Sequence, residues 1–463
     1  MMTQEEACKI FEAGKEVTTR KLMELSAEND RLKAISPNSP TTPSGQKPIF
    51  LKERKKKRKK NPGQKAGHKG VARRPLRPED ATRTVVHPLS SCPDCGTSLP
   101  QKPTEIRIRL TEDIPVVSVE VVKHEIERKY CPKCEKIVEP PVTDALPGST
   151  IGIRLAIYSA YLHYFIGVSM RNICRLLQTS GGHTVSLGGL FHMWSRLATL
   201  LEAEYDRVAQ SIKGAKVVGG DETGWRICGK LAWLWAFATK KACVYIIDKS
   251  RGSKVVRRFL GKVFSGTLIS DFWGAYNKIK AFAKQRCLYH LFTDLRKVDE
   301  KTTVPEWKEW RKKLVRLLRD AIRLGKRWET LPNLKYLQKK AALHERLADL
   351  IQSPSFHPDI TRLIKRLKRH KGELFTFLEN PLEISPYNNH LERMMRPSVL
   401  LRKISQQNRS RKSALVQAIM MTIFRTHYMQ GFNPFERVLK TVREEIASGK
   451  TPNKPSQEEK LVA

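Results

Sequence analysis

Acidic residues are in short supply in this chain: 46 Asp+Glu stand against 86 Lys+Arg in 463 residues, a formal net charge of +40. So large an excess disfavours cationic partners and points to a polyanion. Long apolar runs are missing as well. The longest, Leu231–Ala238, falls far short of the ~20 residues that a membrane span needs, and the opening MMTQEEACKIFE lacks the basic-then-apolar order of a secretion signal. The reading is a soluble intracellular chain with no membrane partner. Cysteine is sparse too. Nine residues in a reducing compartment stay out of disulfides, and four of them fall in two CxxC pairs, a spacing that favours a metal.

A chain of this length with 40% hydrophobic residues builds several cores, not one. Residues 1–35 read as a candidate coiled-coil helix, because Leu22, Leu25, Asn29 and Leu32 alternate at spacings of three and four. Upstream the same phase meets Cys8, Phe11, Lys15 and Thr18, so an oligomerisation helix and a merely solvated one both stay open. Residues 36–86 read as a basic flexible linker: SPNSPTTPSGQKP is rich in Pro, Ser and Thr, and in KERKKKRKK (Lys52–Lys60) only Glu53 is not basic. Charges of one sign at that density repel until phosphates neutralise them, which makes Lys55, Lys56, Lys57 and Arg58 expected DNA contacts; a solvated tail or localisation signal is the plainer reading.

Cys92-Pro-Asp-Cys95 and Cys131-Pro-Lys-Cys134 can present four thiolates to one Zn²⁺. The intervening EIRIRL and VVSVEVVKHEIERKY alternate apolar and polar as paired strands do, so residues 87–145 are expected to form a zinc ribbon that contacts DNA, the metal being structural. Residues 146–210 read as helices. Ser169–Leu177, a turn at Ser180-Gly-Gly-His and Ser186–Leu201 have helix-turn-helix spacing, as plain helical packing also would.

From Ala215 the period changes to that of strands: Ala215–Gly220, Leu231–Thr239, Ala242–Ile247, Gly266–Ser270 and Gln285–Tyr289, with a helix at Lys254–Leu260. Three strands, a helix and a strand, followed by more α/β alternation, is the ribonuclease-H-like order, placed here over 211–298. In it Asp221 ends the first strand and Asp271 the fourth. A helical insertion over 299–380 follows, with Trp307, Trp310, Leu314, Leu317, Leu318 and Ala321 along one face. The core resumes over 381–435 with a helix at Ser385–Pro397 carrying Glu392 and a covering helix at Ala414–Gln430, and 436–463 reads as a tail. The predicted fold is thus multidomain α+β: an N-terminal helix and zinc ribbon, a helical linker domain, and a ribonuclease-H-like α/β catalytic core interrupted by a helical insertion.

Three carboxylates at converging ends suit phosphodiester chemistry, where one metal activates the attacking oxygen and another stabilises the leaving one. Mg²⁺ (or Mn²⁺) prefers such hard oxygen ligands. Asp221 is the expected bridge, with Asp271 and Glu392 each holding one ion. Each has a plainer reading: Glu222 could replace Asp221, Asp271 could cap the next helix, Glu392 could pair with Arg393 or Arg396, and Glu383 competes with Glu392. His290, on the strand-to-helix turn that follows the element of Asp271, is expected to approach the scissile phosphate and support the site; a buried Cys287 and a hydrogen-bonded core His290 are the alternative. Arg393, Arg396, Arg402 and Lys403 are expected to grip phosphate, or else to form a solvated basic face.

The sequence resembles the transposases of the insertion-sequence-66 family. The likeness is carried by PGQKAGHKG, the two-knuckle module, DET at Asp221–Thr223, D-x-W-x-A-Y at Asp271–Tyr276, CLYH at Cys287–His290, NNHLERMMRP at Asn388–Pro397 and Arg402-Lys403. It departs in Tyr387 before the paired asparagines, in Leu401 before Arg402, and in Tyr289 within CLYH. The resemblance implies that Asp221, Asp271 and Glu392 are the catalytic acids of a DDE enzyme that cleaves and joins DNA at the ends of a mobile element. It further implies a target DNA, a homo-oligomer on DNA, small accessory proteins, and a cytoplasmic, nucleoid-associated setting in a bacterium. A nuclease without strand transfer and an inactive DNA-binding derivative are the competing readings.

Overall fold

The computed structural model describes residues 74–112, 119–302 and 304–449, together with Gly14, Thr18, Thr19 and Met23. The basic residues Lys55, Lys56, Lys57 and Arg58, and nearly all of the candidate coiled coil, lie outside the described residues. The chain divides into two units, Lys47–Glu120 and Met1–Gln46 with Val121–Ala463, each described here by itself.

In the smaller unit the first CxxC knuckle closes on hydrogen bonds from Cys92 N to Thr97 O and from Gly96 N to Cys92 O, both 2.9 Å. Gly96 has φ 75°, a left-handed conformation that glycine adopts without strain. The second knuckle belongs to the larger unit. It is the turn of an antiparallel hairpin, Lys129–Cys131 with Lys136–Val138. The long hairpin expected between the knuckles is not found: among the described residues of 105–128 there is no strand. Ile106, Ile108, Val121 and Val122 are all exposed, so the alternation that suggested a strand has no core to bury its apolar side.

Helices α1 (Ile153–Tyr161), α2 (Met170–Gly181) and α3 (Leu187–Lys213) follow. Ser169 and Ser186 start the second and third by accepting the Asn172 and Gly189 amides, and Gly182, at φ 65°, ends α2. The expected turn is therefore present. Yet α3 runs twelve residues beyond Leu201 and buries Leu190, Met193, Trp194, Leu197, Leu201, Tyr205 and Ile212, so it is a core helix.

The β-rich run forms a five-stranded mixed sheet of β1 (Val217–Ile227), β2 (Lys230–Ala238), β3 (Cys243–Asp248), β4 (Val263–Ser270) and β5 (Lys280–Arg286), with α4 (Ser253–Leu260) between β3 and β4. The spatial order is β3-β2-β1-β4-β5, the first three antiparallel and β4 and β5 parallel to β1.

After α5 (Leu288–Asp299) come α6 (Pro305–Lys326), α7 (Asn333–Gln352) and α8 (Pro358–Arg369). All six residues of the expected apolar face of α6 are buried, in a second core with Leu288, Leu291 and Ile269. The insertion returns to the sheet through Gln285 of β5, whose amide donates to Leu374 O (3.0 Å) and accepts from Phe377 N (2.9 Å).

The chain closes with α9 (Asn389–Ser405), α10 (Arg411–Met429) and α11 (Pro434–Ala447). Helix α10 covers the exposed side of edge strand β3. Thr422 and Thr426, one turn apart, accept from Tyr245 N (3.0 Å) and Cys243 N (3.2 Å), so the strand's outward amides are paired instead of open to another chain. Residues 436–447, read above as tail, are helix, with Val438, Leu439, Val442 and Ile446 buried. Among the described residues no helix is long and apolar enough to cross a membrane.

Candidate active site

Parallel pairing of β1 with β4 sets Val217 against Thr267, Val218 against Leu268 and Gly219 against Ile269. Asp221 and Asp271 each lie two residues past the last of these pairs, so they leave the ladder side by side. The sequence reading put Asp221 at the end of its strand. In fact β1 runs on to Ile227, paired with β2 and, at its far end, bridged to Asn408; what ends before Asp221 is the pairing with β4.

Alternation along β1 then separates Asp221 from Glu222. A side chain at Gly219 would meet Asn388 Oδ1 at 2.9 Å and Leu391 Cβ at 3.7 Å, whereas one at Gly220 would meet Tyr276 Cε1 at 2.9 Å. Asp221 shares the face of Gly219, towards α9; Glu222 shares the face of Gly220. On that second face Glu222 is already satisfied: Arg251 Nε donates to Oε1 (3.1 Å) and Tyr276 Oη to Oε2 (2.7 Å). Arg251 is itself stacked between Trp233 (4.4 Å) and Trp273 (4.0 Å). Glu222 is thus a buried anchor for the D-x-W-x-A-Y turn.

Asp271 does two jobs. Its Oδ1 accepts from Trp273 N (2.8 Å) and so shapes the loop that leads into the 3-10 turn Gly274–Lys278; the N-cap of that turn is Trp273, not Asp271, so the capping role given as its plainer reading is not what the side chain does. Its carbonyl is held by the fully buried Arg286, which donates from Nη1 to Asp271 O (2.7 Å) and Ser270 Oγ (3.1 Å), from Nη2 to Asn277 Oδ1 (2.7 Å) and from Nε to Glu373 Oε2 (2.6 Å). Burial works to raise Glu373, but the His370 hydrogen bond and the Arg286 charge outweigh it and bring it down to about 2.

Glu392 stands in the first turn of α9. Asn388, buried at the head of that helix, fixes it: its amide side chain donates to Gly220 O (3.1 Å) and its backbone N–H to Cys287 Sγ (3.2 Å). The absence of a side chain at Gly219 is what permits this approach. The ligand atoms of Cys287, His290 and Glu392 all lie within 4.8 Å of one another. His290 Nδ1 is buried without a protein partner, and burial pushes the Cys287 thiol up. The competitor Glu383 is exposed and paired with Lys240 at 3.2 Å.

Electrostatics tie the acids together. Asp221 is pushed well above the usual carboxylate range by burial and then by the charges of Glu222, Asp271 and Glu392, with only the Glu222 N–H working the other way. A cation is the counter-charge that such a cluster calls for, and the oxygens of Asp221, Asp271 and Glu392 are of the hard type that Mg²⁺ takes. At the knuckles, hydrogen bonds from Thr97 lower the Cys95 thiol and those from Cys134 lower Cys131, which favours the thiolates that bind zinc.

The basic residues expected at the site divide. Arg393, Arg396 and Lys403 are exposed along α9. Arg402 is turned inward, bonded through Nη1 to Thr223 Oγ1 (3.1 Å) and to Gly224 O, so it braces β1 two residues past Asp221. Arg251, Tyr276, Arg286, Glu373 and Asn388 escaped the sequence reading as working parts. Tyr276 and Asn388 sit in motifs noticed there; the others carry no local signal.

Glu222 gives the site a pH signature. Burial, then the charge of Asp271, raise it to about 7 from an ordinary 4.5. The native protein therefore holds a proton that the unfolded chain has released, so this contribution to stability is full below about pH 4.5 and is lost as pH rises to about 7, a span of about 3 kcal/mol. Glu222→Gln, whose amide can keep one hydrogen bond to each partner, is expected to unfold at the wild-type temperature at pH 4.5 and at a higher one at pH 8 in chelator. Equal unfolding temperatures at both pH values would show that Glu222 is not held neutral.

Comparison with known proteins bears on both units. A family model described as Transposase IS66 family matches residues 148–415. A second, the zinc-finger binding domain of transposase IS66, matches residues 90–135. A search of curated proteins finds no match.

Proposed function

The chain belongs to the IS66 family of transposases, and from that premise we propose that it is a DDE transposase that binds the ends of a mobile DNA element and carries out metal-dependent strand cleavage and strand transfer. The observation that carries this reading is that Asp221 and Asp271 leave the β1–β4 ladder side by side while Glu392 enters on the first turn of α9, near enough that the charges of both raise Asp221. The strand order β3-β2-β1-β4-β5 supports a ribonuclease-H-like core, in which acids from two neighbouring parallel strands and a later helix meet.

In this reading Asp221, Asp271 and Glu392 hold Mg²⁺ or Mn²⁺, which when bound lowers the pKa of an attacking water or 3′-hydroxyl and stabilises the leaving oxygen. The remaining residues orient. Asn388 and Gly219 set the helix of Glu392 against β1, Arg286 fixes the backbone of Asp271, and Glu222 with Arg251 and Tyr276 locks the turn behind it. His290, with a buried Nδ1 and no protein partner, stands beside Glu392 as a proton donor or acceptor for the scissile phosphate. Arg393, Arg396 and Lys403 guide the DNA backbone across α9, and the zinc module and basic linker supply further contacts. Assembly on DNA as a homo-oligomer, with small accessory proteins, follows from the family resemblance.

The test is a reaction with oligonucleotides carrying the element's ends, Mg²⁺ and a target duplex. Cleaved and joined products are expected. Hydrolysis without joining would make the protein a nuclease, and neither product would leave only a DNA-binding role.

The linker has its own signature. Neutralising Lys55–Lys60 is expected to weaken binding to all DNA sequences alike and to flatten the dependence of affinity on salt, because phosphate contacts release counterions without reading bases. A loss confined to one sequence, with the salt slope unchanged, would contradict it.

A further inference from the structure

Against Phe272, the residue that follows Asp271, lies an open cavity of about 660 Å³ for which the catalytic reading has no use. That volume is in the range of sites that hold a small organic group, roughly 300–1,000 Å³. One wall is Phe272, the residue after Asp271; the rest comes from the helical insertion, through Phe356 and the helix α8. Helix α8 is amphipathic: Ile360, Leu363, Ile364 and Leu367 are buried in the second core. That leaves Arg362, Lys365 and Arg369 exposed on the face that lines the cavity.

Its chemistry is of two kinds. Phe356 is 100% exposed, so a large aromatic ring stands in solvent with no packing role in the fold. Phe272 is approached by Arg366 at 5.2 Å and, edge-on, by His370 at 5.6 Å. Arg362 and Arg366 are paired with Asp359 and Asp294, whereas Lys365 and Arg369 have no acidic partner among the described residues. Two uncompensated cations beside an idle aromatic ring suit a ligand with both a phosphate and a flat apolar face. Duplex DNA offers the phosphate alone, since its bases are stacked away; an unpaired nucleotide offers both.

We propose that this cavity receives an unpaired nucleotide of the DNA strand next to the scissile phosphate, its base stacked on Phe356 and its phosphate on Lys365 and Arg369. The cavity is mechanically tied to the acids. His370 Nδ1 lies 2.8 Å from Glu373 Oε2, Arg286 Nε donates to the same oxygen (2.6 Å), and Arg286 Nη1 reaches Asp271 O (2.7 Å). The wall residue His370 is thereby joined to the backbone of Asp271. The identity of the strand rests on the transposase reading; the preference for an unpaired nucleotide does not.

The test uses the full chain and two probes: a paired duplex, and the same duplex with a short single-stranded tail containing 2-aminopurine. Wild type is expected to bind the tailed probe more tightly and to quench its fluorescence by stacking. Phe356→Ala, which removes a fully exposed side chain and so spares the fold, should lower affinity for the tailed probe about tenfold, restore the fluorescence and leave duplex binding unchanged. The double variant Lys365→Ala/Arg369→Ala should weaken binding of the tail and flatten its salt dependence. Equal losses on both probes, or no quenching in wild type, would overturn the proposal. Failure of wild type to cleave or join element ends, with tail discrimination intact, would instead sink the transposase reading and leave the cavity assignment standing.

Discussion

Asp221→Asn is expected to abolish strand cleavage and joining, by at least about 10³-fold, while raising the thermal stability of the metal-free protein. Both effects have one cause. Asp221 is largely withdrawn from water near the charges of Glu222, Asp271 and Glu392, and its ionised form is costly until a cation arrives. An amide removes that cost and keeps the hydrogen bond that the carboxyl accepts from Glu222 N at 2.9 Å. Because the folded-state value is raised, the native protein holds a proton that the unfolded chain gives up, and stability is lost as pH climbs through the folded value. The gain from Asn should therefore vanish in acid, below the ordinary carboxylate range, and grow towards neutral pH. A gain of each kcal/mol reads as about 2–4 °C in a domain of roughly 150–250 residues. Mg²⁺ should reverse the order, stabilising wild type more than the variant. Cleavage that persists in the variant with Mg²⁺ present would remove Asp221 from the chemistry. Loss of cleavage without any gain in chelator would mean that the acids do not repel one another as the geometry implies.

What could be read in advance, and what could not, follows from the range of each interaction. Strand and helix periods are local, so four of the five strands, the α4 helix and the apolar face of α6 were legible, and Asp221, Asp271 and Glu392 could be named as candidates from their places in that pattern. The fifth strand, expected at Gln285–Tyr289, runs instead over Lys280–Arg286, and Leu288 and Tyr289 already belong to α5, because the alternation of KAFAKQR is mostly polar and the apolar run after it is the start of the helix. The choice between Asp221 and Glu222 was only half legible. Alternation puts them on opposite faces, but which face meets α9 depends on Asn388 reaching Gly220 across 168 residues of chain. The Arg286–Glu373 pair and the stacking of Arg251 between two tryptophans are likewise tertiary. Two misreadings have local causes. The described residues of 105–128 alternate without a core to face, and the stripe Val438, Leu439, Val442 and Ile446 has helical spacing in the sequence but follows the last helix that the catalytic core requires, where a tail is the default.

Cys131→Ser is expected to release the metal of the zinc module and unfold the chain near residues 90–140, leaving the sheet and the insertion folded. Cys92, Cys95, Cys131 and Cys134 all lie in the described knuckles and within the matched zinc-finger segment. The segment has little else to hold it. Among its described residues Ile106, Ile108, Val121 and Ile137 are exposed, so these apolar side chains form no hydrophobic core that competes with the metal as the source of folding energy. In domains of this kind zinc binding supplies about 10–16 kcal/mol, which is why one lost thiolate is enough. A serine hydroxyl is not deprotonated near neutral pH and does not replace it. X-ray absorption of wild type should show four sulfurs at about 2.3 Å from one zinc, and hydrogen exchange in the variant should rise across residues 90–138 alone. Affinity for element ends should fall, while cleavage of DNA supplied at saturating concentration should survive, since Asp221, Asp271 and Glu392 belong to a separate core. One zinc per chain retained in Cys131→Ser would show that the two knuckles do not share an ion, and unchanged end binding after zinc loss would show that the module does not touch DNA.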